Sequence, residues 1–326
     1  MKKVSIVLSC YNEEKCVKSF FDELVNNIPS DYNYEFLYVD DGSVDLTLNE
    51  ILDIKKQIEL NNGRYEIIKK IESDNEINYL NINIKIIKFS KNFGHESAMV
   101  CGIDYANGDY IIFMDADGQH PVEYIKNIID SFNKNFDIVL MSRKSNAYNN
   151  IIKNLFSTFF YIILNKFSNN KFEKGASDYF AINKKVLYFL RDNYREKVRF
   201  LRGIIQNIGF KKNIIEYDAK KRINGKSKYS VNKLINFAVI SIFSYTDFPL
   251  QLGIFAGLFS GFLGIVLLIY TLITRNGAPS GYATLIIFLC FMFSILFLVI
   301  GIIGEYLSII FKEVKDRPNY IVEDIL

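Results

Sequence analysis

The chain has 326 residues, half of them apolar, and a formal net charge of +3. At roughly 150 residues per domain this length predicts one large domain and a smaller companion. So slight a positive balance, with Lys interleaved among Asp and Glu, gives no electrostatic footprint for a nucleic-acid partner. Four cysteines without a C-x-x-C spacing and only two histidines exclude a conventional zinc site and leave reduced intracellular thiols as the expectation.

From the N-terminus, "MKKVSIVLSCYNEE" has a basic start, but its apolar run is too short for the core of a signal peptide. Residues 4–9 read instead as a first β-strand. A helix follows over 14–27, with Val17, Phe20, Phe21, Leu24 and Val25 at helical spacing. Further apolar strands are predicted at 35–39, 84–89 and 110–114, and a second helix at 96–106. This alternation argues an α/β domain with a largely parallel sheet. The interval 56–83, rich in Asn, Ile and Glu, carries no recognisable chemistry; it reads as an extended helix with a loop, or as an insertion without assigned role. In α/β sheets ligands bind beyond the carboxyl ends of the strands. Here those ends read "SCYNEE", "DDGSVD", "SKNFGHE" and "DADGQHP", so a site assembled from four strand ends is expected.

Asp115 and Asp117 would share a face if their strand continued. Two like charges so close are costly without a cation nearby, and carboxylates with phosphate oxygens are the ligands expected for Mg²⁺ or Mn²⁺. Asp-Ala-Asp-Gly is equally good turn chemistry, so both readings stay open at this point. Asp40 and Asp41 repeat the pattern at another strand end, where a carboxylate can accept from a base N–H or a ribose hydroxyl. No G-x-G-x-x-G, Walker or G-x-S-x-G motif is present, which removes the main support for a dinucleotide-dependent dehydrogenase, a P-loop enzyme or a serine hydrolase. His95 and His120 read as loop-shaping residues rather than bases. Arg199, Arg202, Lys220, Lys221, Arg222, Lys226 and Lys228 form a dense basic cluster. It is either a face drawn to anionic lipid or a phosphate clamp with Arg as bidentate donor.

Beyond residue 233 come two uncharged apolar runs, 250–273 and 282–304, each reaching the roughly 20 residues of a membrane-spanning helix. The turn-rich connector "TRNGAPSG" makes them a hairpin. Lys226, Lys228 and Lys233 precede it and Lys312, Lys315 and Arg317 follow it, against Arg275 alone in the connector. By the positive-inside bias the large domain and both termini are cytoplasmic in a multi-pass plasma-membrane protein. The partition is then a catalytic domain over 1–230, an interfacial amphipathic helix over 231–248, two transmembrane helices over 249–311 and a cytoplasmic tail over 312–326. Gly253, Gly257 and Gly261 allow close helix contact, within the hairpin or between copies. Glu305, at the cytoplasmic end of the second span, is expected to snorkel.

In order, "SCYNEE", "DDGSVD", "SKNFGHESAM", "DADGQHP", "GASDYFAINKKV", "RFLRGIIQNIGF", "RINGKSKYS", two spans and "KDRPNYIVE" form a connected series. It resembles the family 2 glycosyltransferases that act on polyprenyl phosphate, among them bactoprenol-phosphate glucosyltransferases and, more distantly, dolichol-phosphate mannose synthases. The resemblance covers nearly the whole chain except 56–83. It implies a glycosyltransferase-A fold and inverting transfer of a sugar onto undecaprenyl or another polyprenyl phosphate at the cytoplasmic membrane face, for modification of a cell-surface glycan. UDP-glucose leads as donor, with UDP-GlcNAc, UDP-galactose and GDP-mannose as alternatives. By the same resemblance Tyr11, Glu13 and Asp41, with Asp40 beside them, line the nucleotide. Asp115 and Asp117 are a D-x-D pair for Mg²⁺ or Mn²⁺, Asp117 being the direct ligand. Asp178, Asp117 and Arg202 form the implied catalytic set, Asp178 as base or as positioning residue. Arg202, Arg222, Ser227, Lys228 and Tyr229 would hold phosphates of donor or acceptor, and a homo-oligomer, a tetramer in relatives, is implied. The chain departs from its relatives at Ser9, where proline is usual, at Ser177-Asp178-Tyr179-Phe180 for the usual "GDFR", and at Asn207 for a tryptophan. A processive polysaccharide synthase usually has more spans and a Q-x-x-R-W motif, impossible in a chain without tryptophan. A non-catalytic nucleotide-sugar-binding scaffold sits poorly with the intact D-x-D.

Overall fold

The computed structural model describes residues 1–71, 74–144, 162, 165–166, 172–173, 175–197, 200–218, 220, 242–243, 248–273 and 281–326. They fall into two compact units. One comprises Met1–Leu155, Phe172–Lys228 and Pro318–Leu326; the other Phe156–Lys171 and Tyr229–Arg317.

The first unit is built on a nine-stranded mixed sheet. Its centre is parallel, with β1 (Lys3–Cys10) between β2 (Asn33–Asp40) and β5 (Tyr110–Asp115), and β4 (Asp74–Phe89) beyond β2. β1, β2 and β5 are buried on both faces, as near-continuous apolar runs such as "SIVL" and "YIIFM" require when helices cover the sheet, whereas Asn81 and Asn83 of β4 are exposed. Helices α1 (Val17–Asn27), α2 (Thr47–Leu60) and α3 (His95–Tyr105) connect the parallel strands. The start of α1 lies three residues beyond the expected boundary, because residues 13–16 close a turn, Cys16 N donating to Glu13 O at 2.9 Å. α1 buries the five residues whose spacing predicted it. α3 buries every residue from Ala98 to Ile103, and a Cβ on Gly102 would meet Val7 Cγ1 at 2.3 Å, so this helix lies directly against the sheet.

Antiparallel pairings flank this centre on both sides, and the outermost pair on one side is again parallel. β6 (Ile138–Arg143), β7 (Ala176–Asn183) and β8 (Lys212–Tyr217) extend it in the order β5-β7-β6-β8. Among the intervening helices, α4 (Ile125–Asn133) precedes β6 and α5 (Lys184–Asn193) follows β7, with Asn183 Oδ1 accepting from Val186 N at 3.0 Å as its cap. The interval 56–83 is neither a long helix nor a loop. After α2 ends it becomes β3 (Arg64–Ile71), which forms an antiparallel hairpin with β4 and places β3 at the sheet edge. Pairing with β4, and not local sequence, decides this outcome. β9 (Val322–Ile325), from the C-terminal end, also pairs with β4.

In the second unit, α7 (Phe248–Ile273) and α8 (Tyr282–Lys315) contain two stretches, Phe248–Val266 and Phe291–Lys315, long and apolar enough to cross a membrane. Neither is buried like a core helix, and Phe255, Phe262, Phe297 and Leu307 are all more than half exposed. Helix α8 runs 34 residues, roughly 51 Å at 1.5 Å each, against a hydrocarbon core of about 30 Å. A Cβ on Gly253 would touch Val299 at 3.6 Å, whereas Gly257 and Gly261 have nothing within 4 Å. Among the described residues, Gly253 is the member of the glycine repeat that packs within the hairpin. The expected interfacial helix at 231–248 falls almost wholly outside the described residues.

At the edge of the sheet away from the ligand end, Glu35 is buried and accepts from Lys3 Nζ at 2.8 Å and Asn107 N at 3.1 Å, and also from Ser5 Oγ. Burial alone would raise its pKa; these donors outweigh burial and hold it below the ordinary carboxylate value. Its ionised form thus contributes stability that is complete above the unfolded pKa, about 4.3, and lost as pH falls through the lower folded value. Glu35→Ala should cost about 2–4 kcal/mol at pH 7 in chemical denaturation, with a smaller difference from the parent below about pH 4.

Candidate active site at the strand ends

The loops after β1 and β2 are zipped together. Asn12, in the left-handed region at φ 53°, donates its N–H to Ser43 Oγ at 3.0 Å and accepts from Val44 N at 2.9 Å; Glu13 N donates to Thr47 Oγ1 at 2.8 Å. Tyr11 and Glu13 therefore stand on a braced turn beside the β2 end. Asp40 is fully buried there. Its Oδ1 accepts from Ser43 N at 3.0 Å, while Oδ2 has no hydrogen-bond partner among the described residues, and burial pushes its pKa up.

Asp41 is engaged differently. It accepts from Phe93 N at 2.6 Å, Gly94 N at 2.9 Å and Asn92 Nδ2 at 3.0 Å, so both oxygens hold the loop leaving β4. Burial still pushes its pKa up against these donors. Gly42 makes the approach possible: at φ 69°, a Cβ would lie 2.4 Å from the Lys91 carbonyl carbon.

The third and fourth loops meet at His95, the first residue of α3. Its Nδ1 lies 3.1 Å from Ser9 Oγ and 3.4 Å from Asp115 Oδ1, and its Nε2 lies 3.7 Å from Asp178 Oδ2. Ser9 Oγ donates to Asp115 Oδ1 at 2.7 Å. Burial opposes the charged imidazole, but the flanking Asp115 and Asp178 carboxylates outweigh it and raise the His95 pKa. Burial also opposes the Asp115 carboxylate; His95, His120 and the Ser9 hydroxyl nevertheless keep its pKa low. His120, buried against the Tyr179 ring at 5.1 Å, accepts from Asp115 N through Nδ1 at 3.0 Å. That bond requires an unprotonated Nδ1, and burial lowers the pKa of the ring. His120 ties its loop to the β5 end, and His95 lies between two carboxylates.

Asp178, on β7, is held by Arg202 of α6 (Leu201–Asn207): Nη2 lies 2.7 Å from each carboxylate oxygen and Nε donates to Oδ1 at 3.1 Å. Burial would raise the Asp178 pKa, but Arg202 and His95 take it well below the carboxylate range. Next to it, Glu96 accepts from Leu201 N at 3.1 Å, and burial with the Asp178 charge pushes its pKa up to about 7. The structure thus gathers Asp115, Asp178 and Arg202 around His95, while Asp40 and Asp41 stand one loop away.

Strand β5 ends at Asp115, so alternation does not pair its carboxylate with Asp117; Asp117 sits instead in the turn closed by Gly118, where it accepts from Gln119 N at 3.0 Å. Among the described residues no three His, Cys, Asp or Glu side chains form a ready-made metal cage. The donor chemistry of two hard carboxylates still fits Mg²⁺ or Mn²⁺, provided a ligand brings further oxygens. Lys220 is no part of a free anion clamp, since it pairs with Glu23 at 2.6 Å and Glu123 at 2.8 Å. Arg199, Lys221, Arg222, Lys226, Ser227, Lys228 and Tyr229 lie outside the described residues. Of the departures from the family pattern, the hydroxyl of Ser9 binds Asp115, and Phe180 stacks on Phe113 at 4.5 Å inside the core. Ser9 and Glu96 were not assigned roles from sequence. The polarity of Ser9 where proline is usual was the available signal; Glu96 gave none.

Gly42→Ala must strain the backbone and push the 90–94 loop away, which should destabilise the first unit by about 2–4 kcal/mol in chemical denaturation. Ser43→Ala, which removes one loop hydrogen bond, should cost only about 1 kcal/mol.

The profile of glycosyl transferase family 2 matches residues 5–191. An uncharacterized glycosyltransferase of Synechocystis sp. is 31% identical over 99% of this chain and 95% of its own length. The SfII prophage-derived bactoprenol glucosyl transferase of Shigella flexneri is 30% identical over 98% of this chain and 97% of its own. Among solved structures, Staphylococcus aureus TarS 1–349 in complex with UDP-GlcNAc covers 74% of this chain and 67% of its own at 16% identity, with a TM-score of 0.45, a distance that carries no functional argument. With more than half of its length matched by the family and near-complete alignment to these relatives, the chain belongs to glycosyl transferase family 2.

Proposed function

We propose that the protein transfers a sugar, glucose from UDP-glucose first among the candidates, onto a polyprenyl phosphate at the cytoplasmic face of a bacterial plasma membrane, with inversion at the anomeric carbon. The observation that carries this reading is 30% identity over 98% of the chain, apolar helices included, to a relative named for glucosyl transfer to bactoprenol. The helices fit an acceptor whose hydrocarbon stays in the bilayer.

In this reading the loops after β1 and β2 receive the nucleotide. The unpartnered Oδ2 of Asp40 offers a buried acceptor for a base N–H or ribose hydroxyl, while Asp41 acts through the loop it holds. Asp117 and Asp115 would hold Mg²⁺ or Mn²⁺ together with diphosphate oxygens, and the ion when bound supplies Lewis-acid stabilisation of the leaving charge. A phosphate monoester has its second pKa near 6, so the acceptor oxygen is already largely anionic at neutral pH and needs no strong base. The salt bridge to Arg202 makes Asp178 a poor proton acceptor and favours a positioning role. Arg202, oriented by that pair, meets phosphate, and the basic residues over 221–229 complete its neutralisation.

Purified protein with Mn²⁺ or Mg²⁺ should convert undecaprenyl phosphate and UDP-glucose into a chloroform-soluble labelled lipid. No labelled lipid from UDP-glucose, UDP-GlcNAc, UDP-galactose or GDP-mannose, using folded protein, would refute the proposal. Asp117→Asn should lower kcat by about 100-fold or more. Asp178→Asn should keep a pH–rate profile of unchanged shape; loss of an acidic limb would restore Asp178 as the base.

A further inference from the structure

The last nine residues return to the catalytic unit after the chain has passed through both apolar helices, and they do so beside the candidate site. Lys88 of β4 is in register with Asp40 on one side and Asp324 of β9 on the other, and Ile87 likewise with Val39 and Ile325. β3 pairs with β4 only up to Asn81 and β9 only from Ile87 onward, so β9 occupies the edge that β3 has left. The pairing is reinforced by a further backbone bond and by side chains. Ser90 N donates to Ile321 O at 3.0 Å, Lys88 pairs with Glu323 at 2.9 Å, and Tyr320 stacks on Phe89 with centroids 4.9 Å apart. The Tyr320 hydroxyl donates to Asp104 Oδ2 at 2.6 Å, and Asp104 Oδ1 accepts from Arg195 Nη1 at 2.6 Å. Asp104 lies near the end of α3, whose first two residues are His95 and Glu96.

We infer that Pro318–Leu326 is a positioning strap for the active site. It fixes the end of β4, and hence the 90–94 loop whose amides bind Asp41. Through Tyr320 and Asp104 it also fixes α3, which presents His95 to Asp115 and Asp178 and Glu96 to the α6 backbone. A three-residue ladder and one ring stack stabilise little by themselves. Their effect is positional, because they act at the exit of the strand and at the far end of the helix that flank the site. The loops after β1 and β2 are braced to each other through Asn12, Ser43 and Thr47, so the nucleotide site at Asp40 should depend on the strap less than the position of His95 does. The inference rests on the strand ends being the active site, and not on the identity of donor or acceptor.

The test is the full chain ended at Asn319, with Tyr320→Ala and Tyr320→Phe beside it. In the shortened chain, amide exchange at Phe93 and Gly94 should accelerate at least tenfold while that of β1 is unchanged. kcat should fall about tenfold or more, with KM for the nucleotide sugar within about twofold. A peptide of residues 318–326 added in trans should restore both. Tyr320→Phe, which keeps the ring stack and loses the Asp104 bond, should lower kcat about threefold at constant KM. Should the shortened chain not fold, Tyr320→Ala carries the test through the same exchange and kcat readouts. Unchanged exchange at Phe93 and Gly94, or a kcat loss that only tracks the unfolded fraction, overturns the strap. Accelerated exchange in a protein that transfers no sugar would uphold the strap and refute the proposed reaction.

Discussion

Four parallel strands ending at one edge of a sheet force four polar loops into a small space, and the Asp41 carboxylate is the group through which two of them are joined. It accepts backbone amides from Phe93 and Gly94 while its own loop passes so close that only glycine fits at position 42. Buried carboxylates are costly unless hydrogen-bonded, and here the donors that satisfy Asp41 are the same atoms that shape the entrance to α3. The position of His95 therefore descends from a bond made at another strand end. Removing that bond would free both the loop and the helix start.

The electrostatics of the site follow from how few charges are left without a partner. Asp115, His95, Asp178 and Arg202 form a chain in which carboxylates alternate with basic side chains, no contact longer than 3.7 Å. Burial opposes both carboxylates, but His95 beside Asp115 and Arg202 beside Asp178 hold their pKa values down. Such an alternation suits the proposed meeting of a nucleotide diphosphate and an anionic acceptor. In the proposed reaction the protein supplies orientation and charge, and the acceptor phosphate brings its own nucleophilic oxygen.

The family pattern and the tertiary structure illuminate each other at the departures. Ser9 stands where a proline is usual, and its hydroxyl is put to use on Asp115. Phe180, where an arginine is usual, is absorbed into the core against Phe113. At this position β7 thus carries a ring packed in the core, while Arg202 of α6 provides the charge opposite Asp178.

The sequence by itself determined the α/β architecture, the four strand ends that carry the polar residues, and the two apolar helices. These are local properties: strand and helix differ in the period of their apolar residues, and a span of about 20 uncharged residues is legible without any partner. It also marked Asp40, Asp41, Asp115, Asp117, Asp178 and Arg202 through their family motifs. What only the tertiary structure decided is which of these side chains face one another. The 56–83 interval became a strand pair because β4 was there to receive it, and Lys220 became a salt-bridge partner of Glu23, distant in the chain by almost 200 residues. Val322–Ile325 became the neighbour of β4 for the same reason. Edge pairing, carboxylate partners and the bridging position of His95 depend on residues far apart in sequence, and no local period or composition encodes such proximity.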